Sequence, residues 1–445
     1  MLDVNLKKDD MFYAEQFSKM IQCPTITRNG REPFAKLREV MKANCPLFWE
    51  KCELFQLEED ALLFRLKGKS SDKPVVLMAH QDVVPVVEED WDEPPFSGNI
   101  HDGKIWGRGS MDDKNCVYIT MRAAEELLED GFIPEQDIYF SYSDSEERFG
   151  YGVAAAKKWF EEHNVKPNMV LDEGGSLVEP LIPKFMNRNC AMIGCLEKGY
   201  MDVKFVAKSD GGHSSTPPKN TPIERLSKLV NYCMSHKLFK VKALPLTSEM
   251  LKGAASAMKS PYKGLLNQTW LSKFFLKHFA GKINYKLDAM TRTTIVFTMS
   301  QGSVAPNVIP QEAYVLANLR LMPYDRMDDV KAKLEKIAKK FDCECEYTID
   351  CRNACNPIDT KTEEFKMFTD SLEAVFPGIT IVPYIMTGGT DCRVMQELCD
   401  NAFRCAPCFL TMEQMNTMHA ANENINIDSI LGGVKFFKYF MQIYK

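Results

Sequence analysis

The sequence predicts an α/β protein in which a doubly wound, mostly parallel sheet is interrupted by a smaller α+β domain. Three observations point there. Apolar strand-like runs alternate with helix-period segments over the first 195 residues or so. The pattern changes to half-buried strands and amphipathic helices between about Cys195 and Arg352, and then the first pattern resumes. Ionisable side chains gather just after the predicted strands, where doubly wound sheets collect their functional groups. The expected organisation is a discontinuous α/β domain, residues 1–195 and 353–445, with residues 196–352 inserted.

The elements follow in order. Periodicity predicts helices from Asp9 to about Gln22 and from Arg31 to about Ala43, then strands at Ala61–Leu66 and Val75–Ala79. Val117–Asp130 has helical periodicity and stops at Gly131, a normal C-terminal signal. Strand Asp137–Ser141, helix Val153–His163 and strand Met169–Leu171 complete the βαβα order. Within the insert, Tyr200–Ala207, Thr293–Ser300, Ala313–Leu321 and Glu344–Asp350 read as strands, and Ile223–His236 and Asp328–Lys340 as helices. The apolar stretch Leu265–Ala280 reads as a further helix, packed within the insert or at an oligomer contact. Helix Thr362–Val375, strand Thr380–Val382, helix Cys392–Leu398, strand Ala402–Ala406 and a last helix over Ile427–Ile443 close the chain.

Composition excludes some classes of function. A formal charge of −6 without a basic cluster gives no footprint for nucleic acid. No apolar run reaches the roughly eighteen residues of a membrane helix, and the charged start lacks a signal-peptide pattern, so a cytoplasmic protein is expected. The fifteen cysteines are odd in number. Cys343/Cys345 and Cys405/Cys408 lack a second ligand pair at zinc spacing and read as buried, reduced core pairs.

The chemistry sits at strand ends. His80 and Asp82 follow one strand, two residues apart and so on one face. Asp112 and Asp113 lie in a Gly-rich loop, "WGRGSMDDK"; Asp144, Glu146 and Glu147 follow another strand; Asp172 and Glu173 follow a third. A lone HxD is usually a local hydrogen bond and a lone EE a solvated pair, but together they would crowd one crevice with negative charge. Such a crevice calls for a cation. Carboxylates with imidazole suit zinc, with cobalt or manganese as the other metals this set accepts. Five or so ligands shared by two ions would form a two-metal centre.

"MAHQDVVPV", "GRGSMDDK", "SEERFGYG", "LDEGG", "GGHSSTP", "PNVIP", "LANLRLMP", "GGTD" and "HAANENI" occur in the order of one family. The chain resembles the di-zinc metallopeptidases and amidohydrolases that include aminoacylase, carboxypeptidase S, glutamate carboxypeptidase and succinyl-diaminopimelate desuccinylase. It is most similar to the carboxypeptidase S branch. The likeness spans nearly the whole chain and makes the α/β body a catalytic domain and the insert a lid/dimerisation domain. It implies two zinc ions per subunit. His80 and Asp172 would serve one, Glu147 and His419 the other, with Asp112 bridging through a cis peptide to Asp113. Glu146 matches the general base. Asp82 matches the carboxylate behind the ligand imidazole, which fixes its orientation. His213 matches a residue that polarises the scissile carbonyl, from a partner subunit in dimeric relatives. Asn307 and Arg320 match groups gripping substrate carbonyl and carboxylate, and Gly388, Gly389 and Thr390 a pocket-lining loop.

Some positions depart from the family pattern. Ser145 stands where Asp is common, and Ala420-Ala421 replace Gly-Pro. Asn115 replaces a Gly, and Asn tolerates the left-handed conformation Gly would supply. His101, His163, His236 and His278 match nothing and are expected to be surface or structural residues. The resemblance implies hydrolysis of an amide bond beside a free carboxylate in small peptides. The alternative is an N-acyl-amino-acid deacylase; a non-catalytic binding protein on the same fold is a remote one. A homodimer through the insert and a monomer with a lid of its own both remain compatible with the sequence.

Overall fold

The computed structural model describes residues 4–148, 150–180, 184–242, 244–260 and 285–445. The helix expected at Leu265–Ala280, and His278 with it, lie outside them. A ten-stranded mixed sheet forms the main body. Its parallel centre is Gln136–Ser143, Ser70–His80, Met169–Asp172 and Ala402–Arg404, side by side in that order. Strands Glu53–Gln56 and Leu62–Leu66 add an antiparallel edge. On the other side, Cys190–Glu197 pairs antiparallel with Ala402–Arg404 and parallel with Thr380–Met386.

Strand Ser70–His80 is buried from Pro74 onward, as an apolar run covered on both faces must be. Helices Asp10–Ile21, Lys114–Glu129, Glu363–Val375 and Ile427–Ile443 pack into the larger core on one face. Helices Tyr151–Glu162 and Cys392–Met395 cover the other. Asp9 caps the first helix by accepting from the Phe12 amide at 2.9 Å, which explains where that helix begins. The two parallel neighbours of Ser70–His80 both follow it in the chain, and the first packs on one side of it and the second on the other. Its C-terminal end is therefore the switch point where a crevice opens.

The smaller unit is an antiparallel sheet in the order Thr294–Gln301, Glu312–Leu321, Gly199–Lys208, Glu344–Tyr347. Helices Pro222–Ser235 and Met327–Lys340 close a separate core on it, built on Phe205, Leu229, Leu319 and Leu334. One segment between these strands behaves differently. Helix Pro245–Ser256 packs on Thr380–Met386 of the main sheet, with Met250 and Ala257 against Val382. An amphipathic face shows that a helix needs a partner, but not which of two cores provides it.

The two units join through paired crossings. Tyr200 and Arg352 exchange backbone hydrogen bonds of 3.0 and 2.7 Å, and the Cys355 amide donates to Glu197 at 3.0 Å. Lys198 lies buried at this junction, its amine donating to the carbonyls of Ala289 and Arg292 at 2.8 Å each. Burial, and then the nearby Arg292 and Arg320, lower its pKa to about 7. Cys343, Cys405 and Cys408 are buried free thiols and Cys345 is half-buried. Asn115 lies in the first turn of helix Lys114–Glu129 without a positive φ. The expected left-handed role does not apply, because the helix has already begun there.

Two outcomes follow from this packing. A Cβ on Gly175, in the "DEGG" turn, would sit 2.0 Å from the Met192 carbonyl oxygen and 2.7 Å from that of Arg404. Backbone cannot yield as a side-chain tip does, so Gly175→Ala should lower stability by about 1–3 kcal/mol in urea unfolding. An unchanged midpoint would refute the close approach. Lys198 releases its proton in the folded state at a lower pH than in the unfolded chain, so the unfolded chain binds more protons between about 7 and 10.5. The stability of the native protein relative to Lys198→Met should therefore rise with pH across that window. A constant difference would contradict the buried amine.

Candidate metal centre

Each functional side chain arrives on a different element. Strand Ser70–His80 ends in His80, which is 1% exposed. Its amide donates to Asp113 Oδ2 at 3.2 Å and its Nε2 lies 2.9 Å from Asp112 Oδ1. The other carboxylate oxygen of Asp112, Oδ2, lies 2.8 Å from His419 Nε2. One carboxylate thus joins two imidazoles 339 positions apart in sequence (80 and 419). The Asp112–Asp113 peptide is cis. His419 holds a left-handed conformation, φ 59°, a sparsely populated region for a side chain of its size.

Buried carboxylates fix the loops. Glu423 is fully buried and accepts from the amides of Gly109 and Met111 at 3.1 and 2.8 Å, while Arg108 pairs with its second oxygen. That contact fastens the Asp112 loop to the segment carrying His419. Asp82 acts similarly. Its carboxylate accepts from the amides of Glu146 and Glu147 at 3.0 and 3.1 Å and from the Thr27 hydroxyl at 3.2 Å. Toward His80 Nδ1 it offers its backbone oxygen at 3.0 Å and Oδ1 at 3.4 Å. The expected role of orienting the imidazole is therefore shared with the main chain. The side chain mostly holds the turn that bears the two glutamates. Ser145, at the position where Asp is common, accepts from the Gly152 amide at 3.0 Å and steadies the same turn.

Two groups bring ligand atoms within 4.8 Å of one another: His80 with Glu146 and Glu147, and Asp112 with Glu147 and His419. Asp172 is not in either group. Its Oδ2 accepts from the Cys392 amide at 2.8 Å. His213 and Asn307 are also apart. They lie together on the smaller unit, where the Ser214 amide donates to Asn307 at 3.0 Å, and the exposed His213 bonds Ser215 Oγ at 2.7 Å. Arg320, Gly388, Gly389 and Thr390 do face the centre across a cavity of about 480 Å³ that Glu146 and Glu147 also line. His101, His163 and His236 are exposed, as expected.

The electrostatics are those of a cation site. Burial opposes charge on His80, yet hydrogen bonds to Asp112 and Asp82 outweigh it and raise its pKa well above a free imidazole. His419 is raised to about 10 by its contact with Asp112 and by the Glu147 carboxylate beside it. Burial also resists ionisation of Asp112, but the two imidazoles prevail and hold it below the usual carboxylate range. Glu146 and Glu173 shift upward, through burial first and then neighbouring carboxylates. The crowded acids thus draw positive charge toward both imidazoles. Glu147 Oε1 lies 3.1 Å from His419 Nε2 yet makes no well-directed hydrogen bond. An orphaned carboxylate oxygen beside an imidazole nitrogen, in a nitrogen-and-oxygen donor set, fits a divalent metal of the zinc type.

Sequence reasoning did not identify Tyr200, Arg352 or Arg393 as lining the cavity, nor Glu423 as the clamp. Arg393 stands three residues after Thr390, next to a motif already noted. Arg352 follows a short strand with no periodic signal.

The protein-family model for peptidase family M20/M25/M40 matches residues 76–443. A probable carboxypeptidase S-like protein of Dictyostelium discoideum is 30% identical over 417 residues, 92% of this chain and 79% of that protein. The human N-fatty-acyl-amino acid synthase/hydrolase is 30% identical over 387 residues, 85% of this chain and 76% of that protein. Among solved structures, an M20 family metallo-carboxypeptidase from Sulfolobus solfataricus superposes with a TM-score of 0.73 at 19% identity, covering 98% of both chains. Human carnosine dipeptidase 1 gives 0.67 at 14% identity, over 97% of this chain and 95% of that one. Both structures share the fold.

Proposed function

The chain belongs to peptidase family M20/M25/M40 and is a metal-dependent hydrolase of the carboxypeptidase and dipeptidase type, and from this we propose that it cleaves an amide bond beside a free carboxylate, using two zinc ions. The observation that carries the reading is the Asp112 carboxylate shared between His80 and His419, with Glu146 beside it in the cavity that Arg320 lines. His80, Asp112, Glu147, Asp172 and His419 would hold the metal, and its second-row support comes from Asp82 and Glu423. When bound, the ions supply a Lewis acid for the amide carbonyl and acidify a water.

The chain's own groups do the rest. Glu146, whose carboxyl is buried and set beside Glu147 and Asp391, takes a proton from the attacking water on its carboxylate and returns it to the leaving amine. Arg320 pairs with the substrate carboxylate and fixes which amide lies over the metals. The Gly388–Thr390 loop brings backbone close to the same end of the substrate. Zinc-loaded protein should hold two metal equivalents by elemental analysis, and Glu146→Ala should keep them while lowering kcat by about two to four orders of magnitude. A single equivalent, or turnover retained in the variant, would sink the assignment.

A second reading has its own support. The human relative is named as an N-fatty-acyl-amino acid synthase/hydrolase, so N-acyl amino acids are the competing substrates. Amide chemistry at the metals is the same for both. A panel of dipeptides against N-acyl amino acids of the same C-terminal residue separates them.

The smaller unit supports a homodimer. Among the described residues, strand Thr294–Gln301 is an unpaired sheet edge, with Val296 51% and Met299 57% exposed, and Val308, which pairs with His213, is 47% exposed. An open edge with apolar side chains is a template for a second strand. Pairing of two copies there would bury that face, and the lone His213 and Asn307 would act in the partner's cavity on the developing oxyanion. Sedimentation should give a dimer, and His213→Ala should lower kcat by about a hundredfold or more with metal content unchanged. A monomer with full dependence on His213 would place that residue's action in its own chain.

A further inference from the structure

We propose that the cavity wall facing the metal centre is a subsite for a second anionic group, so that the preferred substrates carry an acidic residue, aspartate- or glutamate-like, on the carboxylate side of the scissile amide. The inference deepens the hydrolase reading and rests on it for the position of the scissile bond.

Three guanidiniums line one cavity wall: Arg320 from strand Glu312–Leu321, Arg352 from the return crossing, and Arg393 from helix Cys392–Met395. One carboxylate offers about four acceptor sites, enough for two guanidinium forks. With Arg320 on the substrate's α-carboxylate and room there for one neighbour, at least one fork has no role in that contact.

The protein's own carboxylates do not neutralise them. Glu197 is fully buried, but its Oε1 is engaged by Arg404 and by the Thr390 hydroxyl at 3.1 Å. Its Oε2 lies 3.7 Å from Arg393 Nη1 without forming a hydrogen bond. Asp202 accepts from the Tyr200 hydroxyl at 2.6 Å and from Asn318 Nδ2 at 2.7 Å. Among the described residues the Arg352 guanidinium has no hydrogen-bond partner, and its Nε is buried. Arg393 spends only Nη2, on the Asn353 carbonyl at 3.0 Å. Asp350 acts on Arg352 only at longer range. Against Glu197, Asp202 and the more distant Asp350 stand Arg320, Arg352, Arg393 and Arg404.

The strain shows in the groups themselves. Burial, and then the charge of Arg393, pull Arg320 and Arg352 below the usual guanidinium range. Mutually repelling, partly desolvated cations persist where an anion is meant to arrive. Tyr200 stacks beneath two of them, 4.9 Å from Arg320 and 5.8 Å from Arg352. A ring that both guanidiniums contact offers an apolar surface beside them, suited to the short methylene stem joining two carboxylates. The acidic face of the cavity, with Glu146, Glu147, Glu173 and Asp391, lies on the metal side and would repel the same group.

The test is calorimetric titration of the zinc-loaded protein with L-glutamate and with L-glutamine, which differ by one charge at equal shape. Glutamate should bind about ten- to a hundredfold more tightly, as expected for one added charge-assisted contact. That ratio should fall toward one in Arg352→Gln, and also in Arg393→Gln, with melting temperatures recorded for both. Equal affinities in the native protein, or a ratio untouched by either substitution, overturn the inference. Hydrolysis of N-acyl-glutamate and N-acyl-glutamine separates this claim from the reading it rests on. Turnover of both at equal kcat/KM counts against the acidic subsite alone. No turnover with the glutamate preference intact counts against the hydrolase reading and supports the subsite.

Discussion

The arrangement depends on one carboxylate that two imidazoles share. Asp112 reaches His80 through one oxygen and His419 through the other, and neither histidine has a nearer acid to satisfy its Nε2. This contact closes the fold as well as the site. His80 ends a central strand, and His419 stands just before the last helix of the chain. Glu423 reinforces the closure from four residues away by accepting two amides of the Asp112 loop. A loop rich in glycine would otherwise be free to move, and the price of ordering it is offset by buried charge-assisted hydrogen bonds.

The cavity is electrically divided. Carboxylates crowd the end formed by the parallel strands, and guanidiniums crowd the end formed where the two units meet. Each half would be unfavourable alone: buried acids repel and burial disfavours their charge, and the same holds for arginines. On the proposed reading, a divalent cation at one end and an anion at the other would relieve both imbalances. A substrate bearing a carboxylate beside an amide would then bridge the two ends, and the separation of charge would do the orienting before any chemistry begins.

Much of this was legible in the sequence, and the residues show why. The run from Val75 to Ala79 is apolar throughout because both faces of its strand are covered, and the ionisable groups that follow it mark the crevice. Asp82 was recognisable as a supporting acid from the family resemblance, although its main task, holding the amides of Glu146 and Glu147, involves a turn more than sixty residues away. Helix Pro245–Ser256 falls within the range 196–352 assigned to the insert and had no sequence signal of its own. Its apolar face fits the main sheet, and periodicity does not name the surface that a helix covers. Arg352 was invisible for a related reason: its side chain matters through the backbone pairing of Arg352 with Tyr200, a contact between two crossings that no local pattern announces.

What the sequence determined by itself was the chemistry that each segment could supply: which strands end in acids or imidazole, which helices are amphipathic, and where a change of pattern marks a second unit. Those follow from local periodicity and residue type, and they led to the family and to the metal centre. Only the tertiary structure decided which of these groups meet. Asp112 lies between His80 and His419, Asp172 stands at hydrogen-bond distance from the Cys392 amide and outside the two tight groups, and His213 and Asn307 are not among the residues lining the cavity of their own chain. The arginines of the opposite wall converge for the same reason. Contacts between distant segments depend on packing and loop closure, which set distances that spacing along a chain does not encode.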